Sequence, residues 1–303
     1  MYHDFNYPAV LAAGSRAAWQ IEDVLPAGAR LDFTRPFMPE ALARTALVPG
    51  VSPAERIVLN QIRGHEYLSI FGLVEEFILP FVLDQVRGDL GGDDDRVRAL
   101  LRFASEEAKH IHLFKRFHAA FTAGFGSRCE VIGPPQAIAA EVLRHDPMSV
   151  ALLILHIEWM TQRHYLDSAR DDNGLDPLFA SLLRHHWMEE AQHAKMDTLI
   201  VEALAGNMRE AEIVAAVEGY LEIGMFFDAG MKAQAELNLA AFEEATGRTL
   251  DNDKREAFLA VQHQALRWTY LGSGMTHPNF TAMLSALSPA ARAMVDAAAP
   301  TFC

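Results

Sequence analysis

Two short stretches of this chain, Glu106-Glu107-Ala108-Lys109-His110 and His185-His186-Trp187-Met188-Glu189-Glu190-Ala191-Gln192-His193, share the pattern Glu-Glu-x-x-His. On an α-helix, residues three and four apart lie on one face. Glu107 therefore projects with His110, and His186 with Glu190 and His193. Glu-x-x-His at this spacing is how a helical bundle presents metal ligands to its core. With 13 histidines and abundant glutamate, about one accidental copy is expected, so the pattern alone decides little. The intervals around it decide more.

Glu75 lies 32 residues before Glu107, and Glu158 lies 32 residues before Glu190. Each interval spans one predicted helix–turn–helix. Glu75 is 13 residues before the stop at Gly88, and Glu107 is 14 after Asp93 in the turn. Glu158 is 13 before Asp171, and Glu190 is 14 after Asp176. Near-equal arms of an antiparallel hairpin bring such residues to one height, because both helices rise by ~1.5 Å per residue. Each hairpin then sets a lone glutamate opposite a Glu-x-x-His, and two hairpins face to face supply the ligands of a two-metal bundle site. Glu66 is ~13 Å along the axis from Glu75, too far to substitute for it. Glu76 stays open as an alternative to Glu75, and Pro80 adds an expected kink close by.

The rest of the chain fits this frame. Capping residues followed by proline (Ser52-Pro53, Asp146-Pro147, Asp176-Pro177) and closing glycines predict helices over about 53–87, 94–122, 135–144, 147–170, 177–204, 208–246, 252–271 and 281–298. Asp93-Asp94 reads as the cap of the second of these. Residues 1–50, punctuated by Pro8, Pro26, Pro36, Pro39 and Pro49, read as an extended arm with one short helix near 39–47. Its aromatics Tyr2, Phe5, Tyr7, Trp19, Phe33 and Phe37 pack on the body. The expected fold is all-α: a single domain over 1–303, with the arm at 1–50, a ferritin-like four-helix di-iron core at 51–205 and covering helices at 206–303.

Charge and composition exclude several classes. Net charge is −14, which argues against nucleic acid as a partner. The apolar run from Val150 to Ile157 is far short of the ~18–20 residues of a membrane span. Two cysteines, Cys129 and Cys303, make no disulfide framework, and the residues up to Val10 lack a signal-peptide pattern, so a cytoplasmic location is expected. Four carboxylates with imidazoles and no thiolate suit two iron ions or a manganese–iron pair. Four negative charges balance two Fe²⁺, and oxidation leaves two positive charges for an oxygen-derived anion to neutralise. The expected ligands are Glu75, Glu107, His110, Glu158, His186, Glu190 and His193. A ligating imidazole usually gives its other N–H to a carboxylate. Glu106 is therefore expected behind His193, and Glu189 behind His110. Phe103 holds the place in the first half that His186 holds in the second.

Glu75, Glu107-x-x-His110, Glu158 and His186-x-x-x-Glu190-x-x-His193 resemble the ligand set of the ferritin-like di-iron oxygenases. The third histidine, four residues before the last glutamate, is similar to the arylamine N-oxygenase family typified by p-aminobenzoate N-oxygenase. The resemblance spans roughly residues 55–245. It departs at Glu106 and Glu189, where such proteins usually carry aspartate. It implies activation of O₂ and insertion of oxygen into an amine or C–H bond of a small organic substrate. The two electrons would come from a reductase, a ferredoxin or the substrate. A homodimer is compatible with this reading, and an iron-storing, ferroxidase-like protein is the alternative. Phe114 stands where the ribonucleotide reductase small subunit has its radical tyrosine. Candidate pocket walls are Phe71, Phe103, Phe114, Trp159, Trp187, Phe226 and Phe227, and candidate anchors for a substrate carboxylate are Arg63, Arg163 and Arg267.

Overall fold

In the computed structural model, which describes residues 3–88, 90–92 and 94–303, the N-terminal segment is more helical than its prolines suggest. Helix α1 (Tyr7–Ala17) starts at Asn6, whose side chain accepts from the Ala9 N–H at 2.9 Å, and Pro8 sits harmlessly in its first turn. A single turn, α2 (Ile21–Val24), follows, and α3 (Glu40–Ala43) lies near the expected short helix. Among the segment's aromatics Trp19 and Phe37 are buried, while Tyr2 lies outside the described residues.

The four core helices are α4 (Pro53–Arg87), α5 (Asp94–Phe125), α7 (Pro147–Arg163) and α8 (Pro177–Ala205), with the short α6 (Pro135–Leu143) between the two pairs. At the start of α4, Ser52 Oγ accepts from the Glu55 N–H while the Glu55 carboxylate accepts from the Ser52 N–H, a reciprocal cap. Asp146 and Asp176 cap α7 and α8 ahead of their prolines. Asp93, expected to help cap α5, lies outside the described residues. Helix α4 runs through Pro80 as one element, although that ring removes the N–H that would reach the Glu76 carbonyl.

Helices α4 and α5 form one hairpin and α7 and α8 the other, and the pairs meet through α5 and α8. Helix α1 covers the α5–α8 seam, and α9 (Glu210–Thr246) packs on α4 and α7. Then come α10 (Asn252–Arg267), the single-turn α11 (Ser273–Met275), α12 (Pro278–Leu287) and α13 (Pro289–Ala298). The expected last helix over 281–298 is thus two helices. Ser288 ends one and caps the next, and Pro289 cannot continue the hydrogen-bond ladder. Residues His164–Ala169 and Trp268–Gly272 continue α7 and α10 as π-helical turns. No helix among the described residues is long and apolar enough to cross a membrane.

Fully buried Phe77, Phe103, Phe117, Phe121 and Phe179 fill the interior. Each stabilises the fold by about 1.5–3 kcal/mol, which offsets the burial of the carboxylates described next. Helix packing is tight at Gly274, where a Cβ would overlap the ring of His156, which is held by Tyr220 Oη at 2.5 Å and the Tyr270 carbonyl at 3.2 Å.

Candidate metal centre

Midway along the hairpins, the residues picked out by spacing converge. Glu75, Glu107, His110, Glu158, His186, Glu190 and His193 are all buried. Glu76, one residue on, is only half-buried. Two overlapping sets of potential ligand atoms, each within 4.8 Å of one another, are Glu75–His110–His186–Glu190 and Glu107–His110–Glu190–His193. Glu158 belongs to neither set. It reaches the site through a hydrogen bond to Glu190 and lines the same small cavity, of about 10 Å³, with Glu75, Glu107 and His186. Such a space is the size of one water molecule or ion.

The two expected outer glutamates lie crosswise between the hairpins. His110 Nε2 donates to Glu189 Oε2 at 2.8 Å, and His193 Nε2 donates to Glu106 Oε2 at 3.0 Å. This turns both Nδ1 atoms inward. His110 Nδ1 is 3.0 Å from Glu190 Oε1 and 3.6 Å from Glu75 Oε1. His193 Nδ1 is 2.7 Å from Glu190 Oε2 and 2.8 Å from Glu107 Oε1. His186 Nε2 is 2.7 Å from Glu190 Oε1 and 3.2 Å from Glu75 Oε1. Yet among the described residues His110 Nδ1, both oxygens of Glu107, and Oε2 of Glu75 and of Glu158 have no properly aligned hydrogen-bond partner. Buried polar atoms without partners are costly. Their convergence on one point, with hard carboxylates and imidazoles in a single set, fits a pair of divalent cations.

The electrostatics agree. Burial, with the Glu107 and Glu190 charges, raises the Glu75 carboxyl well above its ordinary range. Burial, with the Glu190 charge, does the same to Glu158, which donates its proton to Glu190. Glu190 is held well below its range: burial opposes ionisation, but His193, His186 and His110 surround it. Burial also opposes charge on His110, yet Glu190 and Glu189 push it up to about 9. These protons occupy positions that metal binding would clear, as deprotonation accompanies ligation.

Sequence reasoning missed the outermost layer. Each outer glutamate also accepts from a cation: Lys109 Nζ to Glu189 Oε1 at 2.5 Å, and Arg102 Nε to Glu106 Oε1 at 2.7 Å. Arg102 was detectable, being four residues before Glu106 on one helix face. Trp19 was not: the N-terminal segment lays its ring parallel to His110, 5.8 Å between centroids, beneath Lys109 Nζ at 3.7 Å. Asp197, one turn after His193, is buried with both carboxylate oxygens lacking a partner among the described residues. Burial pushes its carboxyl well up.

Phe71, Phe226 and Phe227 line an apolar cavity beside the site. The other proposed walls do not. Phe103 stacks on His193 at 4.1 Å, and Phe114 meets His186 edge-on at 5.2 Å. Trp159 stacks on His277, and Trp187 on Tyr165. Each of the three arginines considered for a substrate carboxylate is engaged within the fold, and none lines the apolar cavity. Arg63 is paired with Glu66 at 2.5 Å, Arg163 donates to the Ser273 carbonyl and Thr276, and Arg267 is paired with Asp228. A buried arginine needs such partners in the fold itself. Histidines outside the cluster make contacts within the fold: His65 with His118 at 2.9 Å, and His164 between Tyr67 and Ser273.

Among proteins of curated function, none matches this chain significantly. A search of solved structures finds an R2-like ligand-binding oxidase, a tyrosine-to-phenylalanine mutant with an anaerobically reconstituted Mn/Fe cofactor. It has 15% sequence identity and a TM-score of 0.43, over 88% of this chain and 98% of that chain. The family model for P-aminobenzoate N-oxygenase AurF matches residues 17–267, from the tryptophan segment through the core hairpins to the end of α10. The chain belongs to the AurF p-aminobenzoate N-oxygenase family and is an oxidoreductase, an oxygenase built around a di-metal centre.

Proposed function

We propose that the chain holds two iron ions through Glu75, Glu107, His110, Glu158, His186, Glu190 and His193, and oxygenates the nitrogen of a small organic amine. The observation that supports this most is the convergence, in one buried cavity, of inward-turned imidazole nitrogens and carboxylate oxygens that have no aligned hydrogen-bond partner among the described residues. When bound, the metal pair supplies the redox chemistry that splits O₂, one atom entering the substrate and the other leaving as water. The two electrons come from a reductase, a ferredoxin or the substrate.

The chain's own residues have definable tasks. Glu106 and Glu189 fix the imidazole planes and keep Nδ1 free to ligate. Arg102 and Lys109 hold those glutamates in place. Phe71, Phe103 and Phe114 pack on the histidine rings and keep bulk water away. The adjoining apolar cavity gives an organic substrate a place that a storage protein would not need.

The test is metal analysis of the purified protein, followed by mass spectrometry of arylamine products formed under isotope-labelled O₂. Two metals per chain and one labelled oxygen in the product are expected. A stoichiometry well below two, or label entering only from water, would refute the proposal.

A further inference from the structure

The cavity beside the metal centre carries information about what it receives. Its volume is about 440 Å³, and three of its wall residues, Phe71, Val74 and Ile157, also wall the small cavity among the carboxylates. One layer of side chains therefore separates the two. Its lining includes exposed Ala137 and Phe226 of α6 and α9, which place its mouth at the surface.

The lining contains two polar side chains, Glu141 and Tyr270; every other side chain that lines it is apolar or glycine. Tyr270 spends its hydroxyl on Glu66, donating to Oε1 at 2.7 Å. Glu141 is an anion: its hydrogen bond from Arg144 at 2.6 Å lowers its carboxyl below the ordinary range and engages that guanidinium. No lysine, arginine or histidine lines the cavity among the described residues. A carboxylate held among the apolar walls, away from the Glu141–Arg144 pair at the exposed end, would lose its hydration and find no cation on the lining. Burying an unpaired charge is among the costliest steps in binding. The size is also informative. A cavity of about 150 Å³ accommodates benzene, so this one takes an aromatic ring with a substantial apolar extension.

We infer that the substrate is an uncharged arylamine with an apolar ring substituent and no acidic group, in contrast to the p-aminobenzoate of the family name. This rests on the oxygenase assignment for the word amine, and on the cavity for the rest.

The test is anaerobic titration calorimetry of the metal-loaded protein with 4-butylaniline and with p-aminobenzoate, which share the aniline ring. Near neutral pH, 4-butylaniline is expected to bind roughly 100-fold more tightly, the scale set by desolvating an unpaired charge. Two variants locate the binding. Gly230→Leu, where a Cβ already meets only the flexible end of Ile132, fills the cavity and should abolish 4-butylaniline binding with metal content and helicity unchanged. Ile138→Arg, at a half-buried lining position, should raise p-aminobenzoate affinity at least about tenfold by supplying the missing cation. Equal or tighter binding of p-aminobenzoate to the unaltered protein overturns the inference, as does 4-butylaniline binding that survives Gly230→Leu. The readout is binding, so the two proposals fail separately. A protein that prefers 4-butylaniline but never oxidises it would keep the cavity assignment and refute the oxygenase chemistry.

Discussion

Replacing Glu106 with glutamine removes one negative charge behind His193 and preserves the shape of the site. In the native protein Glu106 accepts from His193 Nε2 at 3.0 Å and from Arg102 Nε at 2.7 Å. Burial opposes its ionisation, but the bonds from His193 and Arg102 hold its carboxyl below the ordinary range. Glutamine keeps one acceptor oxygen but loses the charge that makes the imidazole a better base. Outer partners of metal-ligating histidines are worth about 10–100-fold in metal affinity, or about 1.4–2.7 kcal/mol. Glu106→Gln should therefore weaken metal binding by that factor, and Glu189→Gln should do the same through His110. Arg102→Ala acts one step further out, on a side chain that reaches solvent, and should cost at most about 1 kcal/mol. Competition with a graded series of chelators, read by metal analysis, measures all three. If Glu106→Gln bound metal within about twofold of the unaltered protein, the proposed link from carboxylate to histidine to metal would be wrong.

Glu190→Ala removes the carboxylate that approaches His110, His186 and His193 together, and should leave at most one metal per chain; a retained pair would show that the ligand set is misassigned. Gly274→Ala forces a methyl into the fixed ring of His156 and should destabilise the fold by about 1–3 kcal/mol in urea unfolding, whereas an unchanged midpoint would mean the backbone gives way there. His65, His156 and His164 are each pushed down to about 3 by burial. Their unfolded forms take up protons near pH 6.5 while the folded forms do not, so they cost stability as pH falls from about 6.5 toward 3. The slope should reach at most about 1.4 kcal/mol per pH unit for each. His164→Gln should flatten the pH dependence of the urea midpoint, and an unaltered slope would show that His164 is protonated in the fold.

Much of this arrangement is legible in the sequence because its signals are local. A capping residue followed by proline marks the starts of α4, α7 and α8, and the 32-residue intervals then set Glu75, Glu107, Glu158 and Glu190 at one height. The same signal at Asn6 with Pro8 is masked when prolines are read only as breaks, and at Ser288 with Pro289 it is lost when one helix is drawn straight through the proline. The π-helical turns at His164 and Trp268 carry no such local mark. Nor do the contacts made only when distant segments meet. Trp19 on His110 depends on the N-terminal segment folding back, and the fate of Arg63, Arg163 and Arg267 depends on which acceptors the tertiary fold brings to each. Phe103 is intermediate: its phase matches His186, but only the packed structure reveals that its ring lies on His193.

The place of Trp19 couples the first segment of the chain to the state of its centre. Its indole N–H donates to the His185 carbonyl at 2.8 Å, and Lys109 Nζ donates to the Trp19 carbonyl at 3.2 Å. The tryptophan is thus fastened at its backbone and its ring to the two helices that carry the Glu-x-x-His pairs. Metal loading that stiffens His110 and Glu189 should tighten this clasp, protecting the segment from proteolytic clipping and altering the emission of a natural fluorophore. A change in Trp19 emission on metal loading, absent from a variant with Trp19 replaced, would make the segment whose prolines first suggest a loose arm an optical reporter of metallation.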